Sequence, residues 1–186
     1  MTTPSPAQHA WWLASRSSGV VALALLSLTV AIGLAMASKA FRRPGLARQL
    51  MGAHEQISLA ALGAIAVHGA TLLGDPWLHP GLAGVAVPFA IAYRPAFTGL
   101  GILSGYLAAL LGLSFYLRRR IGPRLWRRVH RLTVLVWALA MVHVLGAGTD
   151  ASSPWMRALL MVAAAPVLLL AARRALPRPL PAGSRA

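Results

Sequence analysis

Residues 51–73 read MGAHEQISLAALGAIAVHGATLL. Roughly 20 apolar residues in a helix cross the hydrocarbon core of a bilayer, and this run is long enough to do so. Two histidines, His54 and His68, interrupt it fourteen residues apart. An imidazole inside a membrane span costs free energy unless something holds it, so both are candidate functional residues. A second stretch, RLWRRVHRLTVLVWALAMVH at 124–143, repeats the pattern with His130 and His143 thirteen residues apart.

Working outward from these stretches, five apolar segments stand out, at about 19–37, 51–73, 97–117, 132–147 and 155–172. The fourth is short and is expected to begin earlier, near Arg128. The stretch 85–92 is too brief to span and contains Pro88, so it reads as a loop or interfacial segment. The expected fold is therefore all-α, a polytopic membrane bundle of about five transmembrane helices. Composition agrees: the 186 residues are 58% hydrophobic and 11% charged, whereas a soluble domain carries about 25% charged residues.

Charge placement sets the expected orientation. Lys39, Arg42, Arg43 and Arg48 follow the first span, and seven arginines lie between Arg118 and Arg131 after the third. Arg173, Arg174, Arg178 and Arg185 follow the fifth, while the other side holds Arg16, Arg94 and Arg157. The positive-inside rule then places the amino terminus outside and the carboxyl terminus in the cytoplasm of a multi-pass cell-membrane protein. Trp11, Trp12, Trp77 and Trp155 fall near the outer interface and Trp126 near the inner one, as an aromatic belt does. Ala35-Met36-Ala37 resembles a signal-peptide cleavage site, but the basic cluster follows the apolar run instead of preceding it, which favours a retained span. Three parts are expected. Residues 1–15 form an extracytoplasmic segment, 16–172 the transmembrane domain, and 173–186 a basic, Pro-rich cytoplasmic tail.

Several functions are excluded or disfavoured. The chain has no cysteine, so disulfides, iron–sulfur clusters and thiolate catalysis are absent. The only acidic residues are Glu55, Asp75 and Asp150, which argues against a proton-driven transporter and against carboxylate metal sites. The net charge of +15 sits in short segments between apolar runs, so it reads as membrane topology, and no nucleic-acid partner is expected.

The histidines carry the chemistry. Spans two and four run the same way, so His54 faces His130 near the inner surface and His68 faces His143 nearer the outer. Fourteen helical residues turn through about 1,400°, leaving His54 and His68 within about 40° of one face and about 21 Å apart along the axis. Thirteen residues leave His130 and His143 about 140° apart on an ideal helix. Either that helix is locally overwound or bent, or one histidine reaches its target from a flank. Taken singly, His54 and His130 lie at interfaces and need no ligand. His9 in the terminus and His79 in an outer loop read as solvated. Jointly, the four match two stacked porphyrins, with His54, His68, His130 and His143 as axial ligands of haem iron. A haem disc fits between facing helices, and two imidazoles leave no open iron position, which favours electron transfer over oxygen activation.

Other residues are assigned around that reading. Ser58, Thr71 and Thr133 lie one turn from His54, His68 and His130 and are candidates to set the imidazole tautomers, as are the helical carbonyls one turn back. Gly63 and Ala64 are candidates for a wall against the porphyrin. Gly101 and Gly105 read as a small-residue helix contact. Arg48, Arg128 and Arg131 inside, and Arg16 and Arg94 outside, are candidates to pair with haem propionates, or are simply topology determinants.

These stretches, with VPFAIAYRPAFTGLGILSGYL at 87–107 and GAGTD at 146–150, resemble the ferric reductase-like transmembrane family. That family includes the membrane domains of ferric reductases and NADPH oxidases and the haem subunit of the methionine-sulfoxide reductase system. The resemblance runs from about Trp11 to Ala172. It implies two stacked haems b at histidine offsets of fourteen and thirteen, held by His54 with His130 and by His68 with His143. It also implies electron flow from a cytoplasmic reduced flavin to an acceptor outside, such as ferric iron. Only a short basic tail follows Ala172, and no G-x-G-x-x-G fingerprint occurs, so flavin is expected from a separate flavoprotein reductase, or quinol serves as donor. Two alternatives remain at this stage: a haem subunit serving a separate extracytoplasmic reductase, and a membrane scaffold or assembly protein without haem.

Overall fold

The computed structural model describes residues 6–38 and 45–175, with side chains from residue 10 onward. Lys39, Arg42, Arg43, Arg178 and Arg185, and the side chain of His9, lie outside the described residues. The described chain is helical, in the order α1 (Pro6–Ala37), α2 (Leu46–Leu72), α3 (Gly81–Ala86), α4 (Pro95–Ile121), α5 (Pro123–His130), α6 (Thr133–Ala147) and α7 (Pro154–Ala175). Five segments are long and apolar enough to cross a membrane: Ala10–Ala37, Leu46–Leu72, Pro95–Ile121, Pro123–Ala147 and Pro154–Ala175. The expected five-span bundle is therefore present. The first span starts earlier than its apolar run alone suggested, and the fourth is α5 and α6 together.

The breaks between elements follow local chemistry. Pro95 opens α4 at a position where its missing N–H costs nothing. Gly122, at φ 92°, ends α4 in backbone that a side chain strains, and Pro123 then opens α5. Between α5 and α6 the hydrogen bonds shorten to three-residue steps, with Leu132 N–H donating to the Val129 carbonyl at 2.9 Å and Val134 N–H to that of Arg131 at 3.4 Å. The stretch expected to be a loop at 85–92 differs in part: its first two residues end the short helix α3, and the remainder is irregular.

Packing places α1 at the centre. It lies antiparallel to α2 along most of its length and also meets α7 and α6, while α4 packs on α6. Leu26, Val30 and Leu34 of α1 form one buried cluster with Trp137 of α6 and Val167 of α7. Ala108 and Leu111 of α4 form another with Val136 of α6. Two buried hydrogen bonds fix the register. Trp137 Nε1 donates to Ser27 Oγ at 3.0 Å, and Ser104 Oγ donates to the Val136 carbonyl at 2.9 Å. Outward-facing positions stay apolar, with Val162 at 72% and Leu110 at 66% exposure. That surface suits lipid, since a water-facing helix would carry charges there.

Candidate functional site

The fold brings the four histidines into two pairs, as the sequence suggested. The ring centres of His54 and His130 are 6.2 Å apart, with planes at 83°. Those of His68 and His143 are 6.4 Å apart, with planes at 72°. The overwound turn at 131–132 explains part of how thirteen residues achieve this. Each three-residue-per-turn step adds about 20° over an α-helical step, so three steps recover about 60° of the 140° mismatch.

Three of the four imidazoles are anchored by backbone carbonyls on neighbouring helices. His54 Nδ1 donates to the Thr29 carbonyl at 3.0 Å, and His68 Nδ1 to the Ser15 carbonyl at 2.8 Å. His143 Nδ1 donates to the Phe97 carbonyl at 2.9 Å. A carbonyl only accepts, so Nδ1 carries the proton in each ring. In the neutral imidazole Nε2 is then the bare nitrogen, which is the form a metal ligand needs. Two hydroxyls add to this: Thr29 Oγ1 lies 2.9 Å from His54 Nδ1, and Ser15 Oγ lies 3.4 Å from His68 Nδ1.

This corrects the expected orienting partners. Ser58, Thr71 and Thr133 donate to the main-chain carbonyls of His54, His68 and His130, not to their rings. For His54, His68 and His143 the ring partners come from α1 and α4 instead, because a ring turned away from its own helix leaves that helix's hydroxyls behind it.

Glycines sit behind the same three rings. A Cβ on Gly19 would meet His68 Nδ1 at 3.0 Å, and one on Gly33 would meet His54 Cε1 at 3.3 Å. A Cβ on Gly101 would overlap the His143 ring. Gly101 is therefore more than the helix-contact residue expected, whereas Gly105 does face a neighbouring helix at Ile65. Gly63 is exposed and, unlike Gly19, Gly33 and Gly101, backs no histidine ring: a Cβ there would meet nothing within 4 Å.

Sequence reading missed Ser15, Gly19, Thr29 and Gly33, yet a signal was there. Ser-x-x-x-Gly at 15–19 recurs as Thr-x-x-x-Gly at 29–33, fourteen residues on. That is the spacing of His54 and His68 on the antiparallel α2.

A cavity of about 580 Å³ adjoins the first pair, lined by His54, His130, Thr29, Gly33, Ser58 and Trp126 among others. That volume lies within the usual range of cofactor sites, about 300–1,000 Å³. Of the arginines considered at that end, Arg131 lines it, together with Arg127 and Arg174, whereas Arg48 and Arg128 do not. At the opposite end Arg16 pairs with Asp150, and Arg94 donates to the Gly146 carbonyl. His79 is exposed in its loop.

The geometry suits one metal ion per pair. A metal–imidazole bond of about 2 Å plus about 1.2 Å from nitrogen to ring centre, on both sides, separates two ring centres by about 6.4 Å. The structure is thus a membrane-helix bundle with two levels of paired histidines between its helices. The chain belongs to the ferric reductase-like transmembrane family: residues 18–141 match the family described as ferric reductase like transmembrane component. Neither the curated proteins nor the solved structures give a match.

Proposed function

We propose that this protein carries electrons across the cell membrane through two haems b, held by His54 with His130 and by His68 with His143. The single observation that carries the reading is the ring separation in both pairs, 6.2 and 6.4 Å, which matches two imidazoles on one iron. The donor set supports it further. Among the described residues no three His, Cys, Asp or Glu side chains group as a metal site. Each pair offers an iron two imidazoles at most, so the remaining donors of a six-coordinate iron would come from a planar ligand such as a porphyrin.

When bound, haem supplies the one-electron chemistry, and the protein supplies position and electrostatics. The Ser15, Thr29 and Phe97 carbonyls hold three rings in the tautomer that presents Nε2. Gly19, Gly33 and Gly101 let those rings lie close against α1 and α4. Arg127, Arg131 and Arg174 around the first cavity offer guanidinium groups to anionic propionates. With both imidazoles bound, a site would leave no open iron position for oxygen or substrate.

The arginine-rich end faces the cytoplasm in this reading, by the positive-inside rule. A haem held by His54 and His130 would take up electrons at that end, and one held by His68 and His143 would pass them to an acceptor outside such as ferric iron. The donor is a cytoplasmic flavoprotein docking its acidic surface on the arginines of α5, in preference to membrane quinol, since quinol has no charge for that face to attract.

A reduced-minus-oxidised absorption spectrum of the detergent-purified protein, with haem counted per polypeptide, tests the proposal. Two low-spin haems per chain are expected. Protein from haem-replete cells that carries none would sink it.

A further inference from the structure

Three histidines share one support, and at the fourth it is weaker. Phe97 and Leu111 of α4 lie fourteen residues apart, and their carbonyls are the positions that would anchor His143 and His130. His143 and His130 are only thirteen apart, so matching one leaves the other out of step. His143 makes its bond. Among the described residues His130 Nδ1 is buried with no partner in regular hydrogen-bond geometry, and the Leu111 carbonyl beside it acts on the ring only as a weak acceptor. The backing glycine is missing as well. Fourteen residues on from Gly101 stands Phe115, whose ring packs edge-on against Trp126 at 5.9 Å.

His130 is held instead by stacking. Its ring lies on that of Trp126 at 4.7 Å and 24°. Trp126 in turn donates Nε1–H to Ser114 Oγ at 3.1 Å. His130 and Trp126 both belong to α5, an eight-residue helix with no buried residue. It lies between the Gly122 break and the overwound turn at 131–132. The other three histidines sit within long helices.

We infer that His130 is the exchangeable one of the four ligands, positioned by Trp126, and that the site nearer the arginine-rich end can open on the α5 side. The inference rests on the haem reading above. Loss of an outer-shell partner typically weakens a histidine ligand by about 10- to 100-fold. A weakened ligand on a short arm yields its place first. The arm also carries Arg124, Arg127 and Arg128, so whatever binds those arginines acts on the same element.

The test is carbon monoxide titration of the dithionite-reduced full-length protein in detergent, read by absorption. Uptake by one of the two haems is expected, the other staying low-spin. Trp126→Ala should speed that uptake about tenfold without changing its extent, because it frees the His130 ring. Gly101→Ala should open the second haem, raising uptake to two, because it displaces His143. Two haems that both refuse carbon monoxide would overturn the inference, as would uptake indifferent to Trp126→Ala. A chain without haem would instead overturn the electron-transfer reading, so the two failures are distinct.

Discussion

At the scale of single residues, the histidines are specified less by their own helices than by what stands opposite. Gly19, Gly33 and Gly101 each give up a side chain so that an imidazole can lie against backbone. Gly33→Ala should therefore lower haem content at the first site, since its Cβ meets the His54 ring at 3.3 Å and the ring must shift. Gly63→Ala should leave haem content and spectrum unchanged, because Gly63 is exposed and does not line the cavity at the first pair. Haem per polypeptide in the two variants checks the contrast, and equal losses would refute the backing role. A purely structural residue behaves differently. Trp137→Phe removes the buried bond to Ser27 Oγ at 3.0 Å and should cost about 1 kcal/mol in unfolding, with the haem spectrum intact.

At the scale of elements, α5 and α6 form a single span with a built-in break. The apolar run of the fourth span looked short in the sequence because its first turns, around Arg124 to Arg131, are polar. The structure keeps those turns helical but separates them by the three-residue hydrogen bonds at 131–132. Gly122, at φ 92° and ψ 127°, lets the chain reverse from α4 into α5. A side chain there is strained, so Gly122→Ala should destabilise the protein by about 1–3 kcal/mol. Its thermal midpoint should fall, and the His130 side of the first site should loosen before the second site does. An unchanged midpoint would mean that the α4–α5 turn relaxes without that glycine.

At the scale of the whole molecule, the two ends of the bundle differ in character. One end gathers the arginines of α4, α5 and α7. The other is tied by the ion pair between Arg16 and Asp150, with Arg16 also lying over the Trp12 and Trp155 rings at 4.9 and 5.6 Å. The pair is partly exposed, so Asp150→Asn should cost only about 1 kcal/mol, read as a small drop in thermal midpoint that salt reduces further. The charge asymmetry predicts topology. Reporter fusions after Ala175 should report the cytoplasm, and a tag in the loop around His79 should be reached from outside. The reverse pattern would invert the direction of electron flow proposed here.

Period and composition were enough to settle much of this protein. Long apolar runs must become helices, because lipid leaves backbone groups no other partner, and so the five spans were legible in the sequence. The histidine levels were legible for the same reason: helical rise converts spacing directly into height. The partners of the rings were not, because Ser15, Thr29 and Phe97 act through main-chain carbonyls, which every residue possesses and no side chain advertises. Nor could spacing alone resolve the thirteen-residue mismatch of His130 and His143. Only the packed structure, by overwinding one turn and leaving one buried nitrogen with no regular hydrogen bond among the described residues, separated the three rings anchored on carbonyls from the one that stacks on an aromatic.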